Sequence, residues 1–225
     1  MNDSGRRHAP RYTRQDHGSA GDARLFSPAF ERNARPIIET LTPYFEGRTG
    51  TVVEIGAGTG QHAAAFALAF PGLEWIATDP FEDHRRSISA WANALLPAPR
   101  EPLELDATRD WAQIDVIRAL GPLLAVYAGN VTHIAPWAVT EGILSGAATA
   151  LAPGGFALFY GPFRDGETFF GEGNRAFDRD LRADNPEWGL RDIASIRAAG
   201  GDVGLRMEAV HPMPANNHIL VLRRT

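Results

Sequence analysis

The hydrophobic pattern of the chain alternates between runs at helical spacing and short apolar runs typical of buried strands. The first run predicts a helix over Ala29–Leu41, with Ser27 as its cap, Pro28 at its start and Pro43 ending it. Further predicted elements of the first half are strand Thr51–Ile55, helix Gln61–Phe70, strand Leu73–Thr78, helix Glu82–Leu95, strand Pro102–Leu105, helix Trp111–Leu120 and strand Leu123–Ala128.

The second half continues this alternation. Its predicted elements are helix Trp137–Leu151, strand Phe156–Tyr160, helices Asn174–Arg182 and Leu190–Ala199, and strands Leu205–Val210 and His218–Leu222. Repeated strand and helix units indicate a Rossmann-like α/β fold, a doubly wound and mostly parallel sheet of seven strands. The connection Met213–Asn217 is too short for a crossover, so the C-terminal strand is predicted to be antiparallel.

The chain is predicted to form one domain over residues 26–225, preceded by a disordered tail over residues 1–25. The tail has five arginines, three aspartates and few apolar residues. The remainder has 17 arginines and 24 acidic residues, which argues against a surface built to bind nucleic acid. The longest apolar run, Ala63–Phe70, is too short to cross a bilayer, and no secretory signal follows the first arginines. We therefore expect no membrane partner and a cytoplasmic location.

The composition removes several kinds of chemistry, because the 225 residues include neither lysine nor cysteine. Absence of lysine excludes Schiff-base enzymes, a pyridoxal-phosphate anchor and the lysine of a phosphate-binding P-loop. Absence of cysteine excludes disulfides, thiol nucleophiles, iron–sulfur clusters and cysteine zinc sites. The histidines show no metal-binding spacing, and we predict no metal. The remaining chemistry depends on carboxylates, histidine, hydroxyls, backbone amides or a cofactor.

The most informative segment is Glu54-Ile55-Gly56-Ala57-Gly58-Thr59-Gly60, between a predicted strand and a predicted helix. Glycine permits unusual backbone angles and close approach of a ligand, and the helix start offers free amides. Asp79 ends the next strand, where a doubly wound sheet places a carboxylate near the ribose of a nucleotide. The third glycine is one residue early for the dinucleotide fingerprint, since Gln61 stands in its place.

The pattern Glu54-x-Gly56-x-Gly58-x-Gly60 resembles the first motif of class I S-adenosylmethionine-dependent methyltransferases. The resemblance implies that the glycine loop, including Thr59, passes the methionine part of S-adenosylmethionine. It also implies that Glu54 holds the ammonium group and Asp79 the ribose hydroxyls. Asp106, after the third strand, matches the acidic position on the adenine side. A βα turn without a ligand, and a nicotinamide or flavin site, stay open as alternatives.

A closer resemblance covers nearly the whole chain after the tail. It is to a methyltransferase family of bacterial and animal proteins that includes methyltransferase-like protein 26. Six segments carry it: Ser27-Pro28-Ala29-x-Glu31-Arg32-Asn33, Gly58-Thr59-Gly60-Gln61-His62, Asn130-x-x-His133-Ile134-x-Pro136-Trp137, Tyr160-Gly161-Pro162-Phe163, Asp184-x-Pro186-Glu187-Trp188-Gly189 and Met213-Pro214-Ala215-Asn216-Asn217.

In the methyltransferase strand order, the loop 129–137 borders the transferable methyl group. Asn130 is predicted to contact the cofactor and orient the substrate, and His133 is a candidate general base. Trp137 and Tyr160 are candidate walls of the substrate site. A structural role for His133 and a packing role for Trp137 are the alternatives.

At the N-terminal side, Ser27, Arg32 and Asn33 are predicted to close over the cofactor as a lid, and Arg32 and Asn33 are also candidate substrate-binding residues. Capping a helix and pairing with acidic groups are the alternatives. Val131-Thr132 replaces the prolines that follow asparagine in amino-group DNA methyltransferases, which also argues against a nucleic-acid substrate.

These observations predict an S-adenosylmethionine-dependent methyltransferase that transfers a methyl group to oxygen or nitrogen of a small molecule by direct displacement. A non-catalytic module that binds cofactor or a partner is one alternative. An NAD(P)-dependent enzyme is another, although it has no lysine for a Tyr-x-x-x-Lys pair. The sequence is compatible with a homodimer.

Overall fold

The computed structural model describes residues 23–95 and 100–225. Residues 1–22 of the predicted tail lie outside this range. Just after them, the Leu25 N–H donates to Ser87 Oγ, and Trp91 Nε1 donates to the Leu25 carbonyl. The ordered contacts of the domain therefore include the last residue assigned to the tail.

The helices and strands alternate as the hydrophobic pattern predicted. The helices are α1 Phe30–Phe45, α2 Gln61–Ala69, α3 Glu82–Ala92, α4 Asp115–Arg118, α5 Trp137–Ala150, α6 Glu172–Asp184 and α7 Ile193–Asp202. The strands are β1 Gly50–Ile55, β2 Leu73–Ala77, β3 Leu123–Gly129, β4 Leu151–Asp165, β5 Thr168–Phe169, β6 Arg191–Asp192, β7 Leu205–Met213 and β8 Asn217–Arg224.

The six long strands form one sheet in the order β2-β1-β3-β4-β8-β7. The first four are parallel, whereas β8 is antiparallel to both β4 and β7. On the outer side of β2, a single parallel bridge between Thr78 and Leu103 takes the place of a seventh strand. The short strands β5 and β6 pair with the end of β4. The predicted doubly wound α/β fold with antiparallel C-terminal pairing is confirmed.

The core lies on both faces of this sheet. Along β1 and β3, successive side chains point to opposite sides, as the strand period of two requires. Val53 and Val126 pack against α5 and α7, whereas Val52 and Tyr127 pack against α1 and α2. Because both faces are covered by helices, the carboxyl ends of the parallel strands are left to form a site.

The strand predicted over Pro102–Leu105 is reduced to the single bridge at Leu103. Leu103 N–H donates to the Ala77 carbonyl, and Asp79 N–H donates to the Leu103 carbonyl. Leu103 forms both of these bonds by itself, because the N–H and the carbonyl of one strand residue point to the same side, and the pairing with β2 does not extend to its neighbours.

The prediction that Pro43 ends the first helix is wrong, because α1 contains both Pro36 and Pro43 and continues to Phe45. Phe45 is 2% exposed and packs edge-on against Phe70 and Trp75. Burial of this aromatic ring offsets the hydrogen bond that the proline removes.

Two further local predictions need correction. Ser27 does not cap α1; its N–H donates to Gln61 Oε1, and Ala29 occupies the cap position. The helix predicted over Trp111–Leu120 is a 3₁₀ turn, Trp111–Gln113, followed by α4. Ile114 between them is extended, so the helix is divided in two. The Asp110 carboxylate caps the 3₁₀ turn by accepting from Ala112 N–H, and α4 begins separately at Asp115.

Gly146 of α5 allows this helix to lie directly on Trp111. A Cβ atom at Gly146 would be 2.1 Å from Trp111 Cδ2, and the Trp111 side chain is fully buried. We expect Gly146→Ala to lower the free energy of unfolding by about 1–3 kcal/mol, the usual cost of overpacking. Urea denaturation measures the effect. Gly173→Ala in α6, where a Cβ has nothing within 4 Å, is the matched control and should be neutral or stabilising.

Candidate functional site

A cavity of about 1170 Å³ opens at the carboxyl ends of β1 to β4. Most of the predicted site residues line it: Arg32, Asn33, Glu54, Gly56, Gly58, Thr59, Asp79, Asp106, Asn130, His133 and Tyr160. The structure therefore brings together, in one place, segments that are far apart in the sequence. The size is sufficient for a nucleotide-sized cofactor and a second small molecule.

The turn between β1 and α2 depends on its glycines. Gly56 and Gly58 have φ of 63° and 56°, values that residues with a Cβ seldom adopt. A Cβ on Gly56 would also lie 2.9 Å from Val131 Cγ2, so this glycine lets the turn approach the loop after β3. Thr59 follows within the turn and is buried.

Gly60 was predicted to contact the cofactor, and in the structure it lies where α2 packs on α3. It is not among the described residues that line the cavity. A Cβ there would lie 2.6 Å from Ile88 Cα, so Gly60 permits the close packing of α2 on α3. It supports the glycine turn from the side away from the cavity.

Asp79, directly after β2, is the carboxylate that fastens the turn. Its Oδ2 accepts from Gly58 N–H at 3.0 Å, and its Oδ1 accepts from Phe81 N–H at 2.9 Å and from His84 Nδ1 at 3.0 Å. Only 2% of the residue is exposed. These donors hold a negative charge at the cavity wall, in the position predicted for binding ribose hydroxyls.

Glu54, at the end of β1, is a second buried carboxylate. Trp75 Nε1 donates to its Oε2 at 2.7 Å. Burial, aided by the charge of Asp79 and opposed by the Trp75 hydrogen bond, raises the pKa of Glu54 from 4.5 to about 7. A buried acid of this kind is stabilised in its ionised form by a cation.

Asp106 lies in an exposed turn after Leu105. Its Oδ1 accepts from the N–H and the hydroxyl of Thr108, at 3.0 and 2.7 Å. The carboxylate thereby shapes the turn at the far edge of the cavity from Asn130. Asp83 of α3 lines the same region. We call the part of the cavity formed by Glu54, Asp79, Asp83 and Asp106 the acidic half.

The loop after β3 carries Asn130 and His133. Asn130 has φ of 57°, and its N–H donates to the Tyr160 carbonyl at 2.8 Å, so it continues the pairing of β3 with β4. His133 is 5% exposed, and its Nδ1 has no hydrogen-bond partner within the described chain. Burial, aided by the charge of Arg191, lowers the pKa of His133 to about 4. The ring is therefore neutral at pH 7.

Asn33 of α1 bonds His62 at the cavity wall, where His62 Nε2 donates to Asn33 Oδ1 at 2.8 Å. Burial raises the pKa of Tyr160, and Asn33 and the charge of Arg32 oppose this effect in part. Asn33 and Tyr160 are 8% and 4% exposed.

Trp137 is not among the described residues lining the cavity, although it was predicted to bind substrate. It begins α5 and packs against the core, and the Arg191 guanidinium lies 5.9 Å from its ring centre. This arrangement agrees with the packing alternative for Trp137.

Sequence reasoning missed the wall formed by α6 and the segment that follows it. Five of its side chains line the cavity: Asn174, Phe177, Leu181, Asn185 and Trp188. Phe177 packs edge-on against His133 with ring centres 5.6 Å apart. A helical pattern predicted α6 but gave no indication of where it lies. The available signal was Phe177 itself, an aromatic residue in an otherwise polar helix.

We call the remaining part of the cavity the amide-rich half. It is formed by α1, the loop after β3, the end of β4, α6 with its following segment, and the turn after β7. Its amide side chains are Asn33, Asn130, Asn174, Asn185 and Asn217. Among the described lining residues, this half has no carboxylate and one guanidinium, that of Arg32. The cavity thus has opposite electrostatic character at its two ends.

The fold is that of class I S-adenosylmethionine-dependent methyltransferases of known structure. An O-methyltransferase family protein from Burkholderia thailandensis superposes with a TM-score of 0.72 at 17% identity, over 88% of this chain and 57% of that one. Human N-acetylserotonin methyltransferase in complex with S-adenosylmethionine gives 0.70 at 14% identity, over 87% and 52%. Magnesium protoporphyrin IX methyltransferase from Synechocystis PCC 6803, with bound S-adenosylhomocysteine, gives 0.63 at 17%, over 87% and 83%.

The chain belongs to the family described as protein of unknown function (DUF938), whose model matches residues 24–224. It spans little more than half the length of the Burkholderia and human structures.

Two other properties of the described residues bear on the site. No helix within them is long and apolar enough to span a membrane. Likewise, no group of three or more His, Asp or Glu side chains in the described ranges is suited to hold a metal ion.

The raised pKa of Glu54 makes stability depend on pH. An acid with a higher pKa in the folded state binds more protons when folded, so stability falls as pH rises from 4.5 through 7. Between pH 5 and 8 we expect the free energy of unfolding of the wild type to fall by roughly 2 kcal/mol relative to Glu54→Gln.

Urea denaturation at the two pH values measures this difference. His62 and His133, whose pKa values burial lowers to about 4, are present in both proteins and cancel. Glu141→Gln, an exposed carboxylate on α5, is the control and should follow the wild type. Parallel behaviour of wild type and Glu54→Gln would show that Glu54 is not the group responsible.

Proposed function

We propose that the protein is an S-adenosylmethionine-dependent methyltransferase acting on oxygen or nitrogen of a small molecule. The observation that carries this proposal is the acidic half. Two buried carboxylates, Glu54 and Asp79, lie beside a glycine turn with positive φ angles, at the ends of adjacent parallel strands. A ligand that is both cationic and a nucleoside fits this combination.

The residues present fit the cofactor. Glu54 is a buried carboxylate whose pKa is raised by desolvation. A positive charge beside it would favour its ionised form, so the site is suited to the ammonium group of a methionine. Asp79 accepts from three donors, and the acceptor position that remains on Oδ2 is suited to a ribose hydroxyl. The Gly56–Gly58 backbone allows close approach of the ligand, and Asp106 borders the adenine side.

The sulfonium of the bound cofactor supplies an activated methyl group. The protein's contribution is to orient the acceptor and exclude water, which together can account for much of the rate. Asn130 is proposed to orient the acceptor through its amide. His133, neutral because its pKa is lowered to about 4, is proposed to accept a proton from the attacking atom.

The solved methyltransferases support this proposal through the shared fold, and two of them hold the cofactor or its product. We propose further that the chain belongs with the family of methyltransferase-like protein 26. Its partner is a small-molecule acceptor rather than nucleic acid, its location is the cytoplasm, and a homodimer is compatible with these properties.

The leading test is calorimetric titration with S-adenosylhomocysteine. We expect saturable binding to the wild type and a loss of about 10- to 100-fold in Asp79→Ala, the effect of one hydrogen bond to a charged group. Asp115→Ala, in an exposed i,i+3 pair with Arg118, is the control and should bind as the wild type does. Equal or absent binding in all three proteins would overturn the proposal, and stabilisation by NAD(P) in its place would favour the nicotinamide alternative.

For His133, we expect replacement by alanine to lower turnover by about 10²- to 10⁴-fold, the usual effect of losing a general base. Transfer of labelled methyl from S-adenosylmethionine into a small-molecule cell extract measures turnover. Affinity for S-adenosylhomocysteine should be unchanged. Unaltered turnover would assign His133 to the structural role.

A further inference from the structure

The protein itself fills most of the acceptor positions of the Asp79 carboxylate. An ionised carboxylate has about four such positions, two on each oxygen. Phe81 N–H and His84 Nδ1 both donate to Oδ1, at 2.9 and 3.0 Å, and Gly58 N–H donates to Oδ2 at 3.0 Å. These are ordinary hydrogen-bond lengths, so Oδ1 is filled and Oδ2 keeps one open position.

His84 differs from the other two donors because its bond comes from a side chain. The N–H groups of Gly58 and Phe81 belong to the main chain of the glycine turn and of the segment that leads into α3, so the fold fixes them. His84 is in the first turn of α3 and lines the cavity. Its Nδ1 carries the proton of the bond to Asp79, since a carboxylate only accepts. A substitution at position 84 can therefore remove one donor and leave the main-chain donors in place.

The surrounding contacts hold the His84 ring against Asp79. The two side chains are 13% and 3% exposed. Phe81 packs edge-on against the His84 ring, with ring centres 5.3 Å apart. Arg85, the next residue, donates from Nη1 to the Asp79 carbonyl at 2.9 Å and from Nη2 to Glu104 at 3.0 Å, which fixes the start of α3 relative to Asp79. A ligand that enters the cavity therefore meets His84 already bonded to Oδ1.

The number of open acceptor positions limits how a ribose can bind. The two hydroxyls of a ribose are on adjacent carbons, so both can donate to one carboxylate only when each oxygen has a position open. Asp79 offers such a position on Oδ2 alone. One hydroxyl fills that position, and the second hydroxyl gains no bond to this charge.

We propose that His84 restricts Asp79 to one of the two ribose hydroxyls of an adenosyl ligand and thereby sets the ligand specificity of the acidic half. This inference rests on the proposed function and deepens it, because the ligand class then includes adenosyl compounds that lack the other hydroxyl. His84 acts through Asp79 and is a positioning residue. A hydrogen bond to a charged group contributes more than one between neutral groups, so the two hydroxyls contribute unequally to affinity.

The probes are S-adenosylhomocysteine and its 2′-deoxy and 3′-deoxy analogues, titrated calorimetrically into the full chain. We expect one analogue to bind the wild type about 10- to 100-fold more weakly than S-adenosylhomocysteine, the effect of losing one hydrogen bond to a charged group. The other analogue should bind within about 3-fold of S-adenosylhomocysteine, which is less than the effect of such a bond. Equal weakening of both analogues, or of neither, would overturn the inference.

Two substitutions of His84 test its part in this difference. His84→Ala opens a second acceptor position, on Oδ1, so we expect the tolerated analogue to bind this variant about 10-fold or more below S-adenosylhomocysteine. His84→Asn keeps an N–H donor near the place of Nδ1 and should retain the wild-type difference between the analogues. Glu82→Gln, exposed on the same helix and not among the described lining residues, is the control and should match the wild type.

The outcomes separate this inference from the proposed function. Failure of S-adenosylhomocysteine to bind the wild type would remove the proposed function and the inference with it. If S-adenosylhomocysteine binds, but His84→Ala weakens all three ligands alike and keeps their wild-type ratios, His84 has only a structural role and the inference alone is removed. The wild-type ratios and those of His84→Asn decide the matter if His84→Ala does not fold.

Discussion

The buried carboxylate of Asp79 is the constraint on which the acidic half of the cavity depends. It joins three segments that are otherwise separate: the glycine turn through Gly58 N–H, the start of α3 through Phe81 N–H, and His84 of α3. A buried carboxylate is tolerable only when such donors surround it, and donors of this kind also orient it. The turn is therefore held in one conformation beside β2, although its glycines would otherwise allow many.

In the amide-rich half, Arg191 joins separate segments as Asp79 does in the acidic half. Its guanidinium donates to the carbonyls of Thr132, Ala135 and Glu187, while Gly189 N–H donates to the His133 carbonyl. These bonds attach the loop that carries His133 to the segment after α6. A planar group with several fixed donors can satisfy carbonyls from two segments at once, which a lysine cannot do with the same geometry. The wall opposite the acidic half is consequently part of the rigid fold.

The sequence predicted those parts of the site that are defined locally. The glycine turn, Asp79 and the strand ends follow from short patterns whose geometry a parallel sheet dictates. The errors arise where distant contacts decide the outcome. Phe45 packing carries α1 past Pro43, and the position of Trp137 depends on Arg191, 54 residues later in the chain. The α6 wall was missed for the same reason, since a helical period predicts an element and not its neighbour.

The two halves of the cavity impose a direction on the proposed reaction. The acidic half favours a cation, and the amide-rich half, with Arg32 and without a carboxylate among its described lining residues, favours an anion. Opposite charges brought together in a cavity shielded from water attract more strongly than they do in solution. Methyl transfer removes the positive charge of the sulfonium, whereas the ammonium and ribose groups proposed to contact Glu54 and Asp79 remain in the product. The acidic half would therefore keep these contacts with the spent cofactor, and the reaction would weaken cofactor binding only through the lost sulfonium charge.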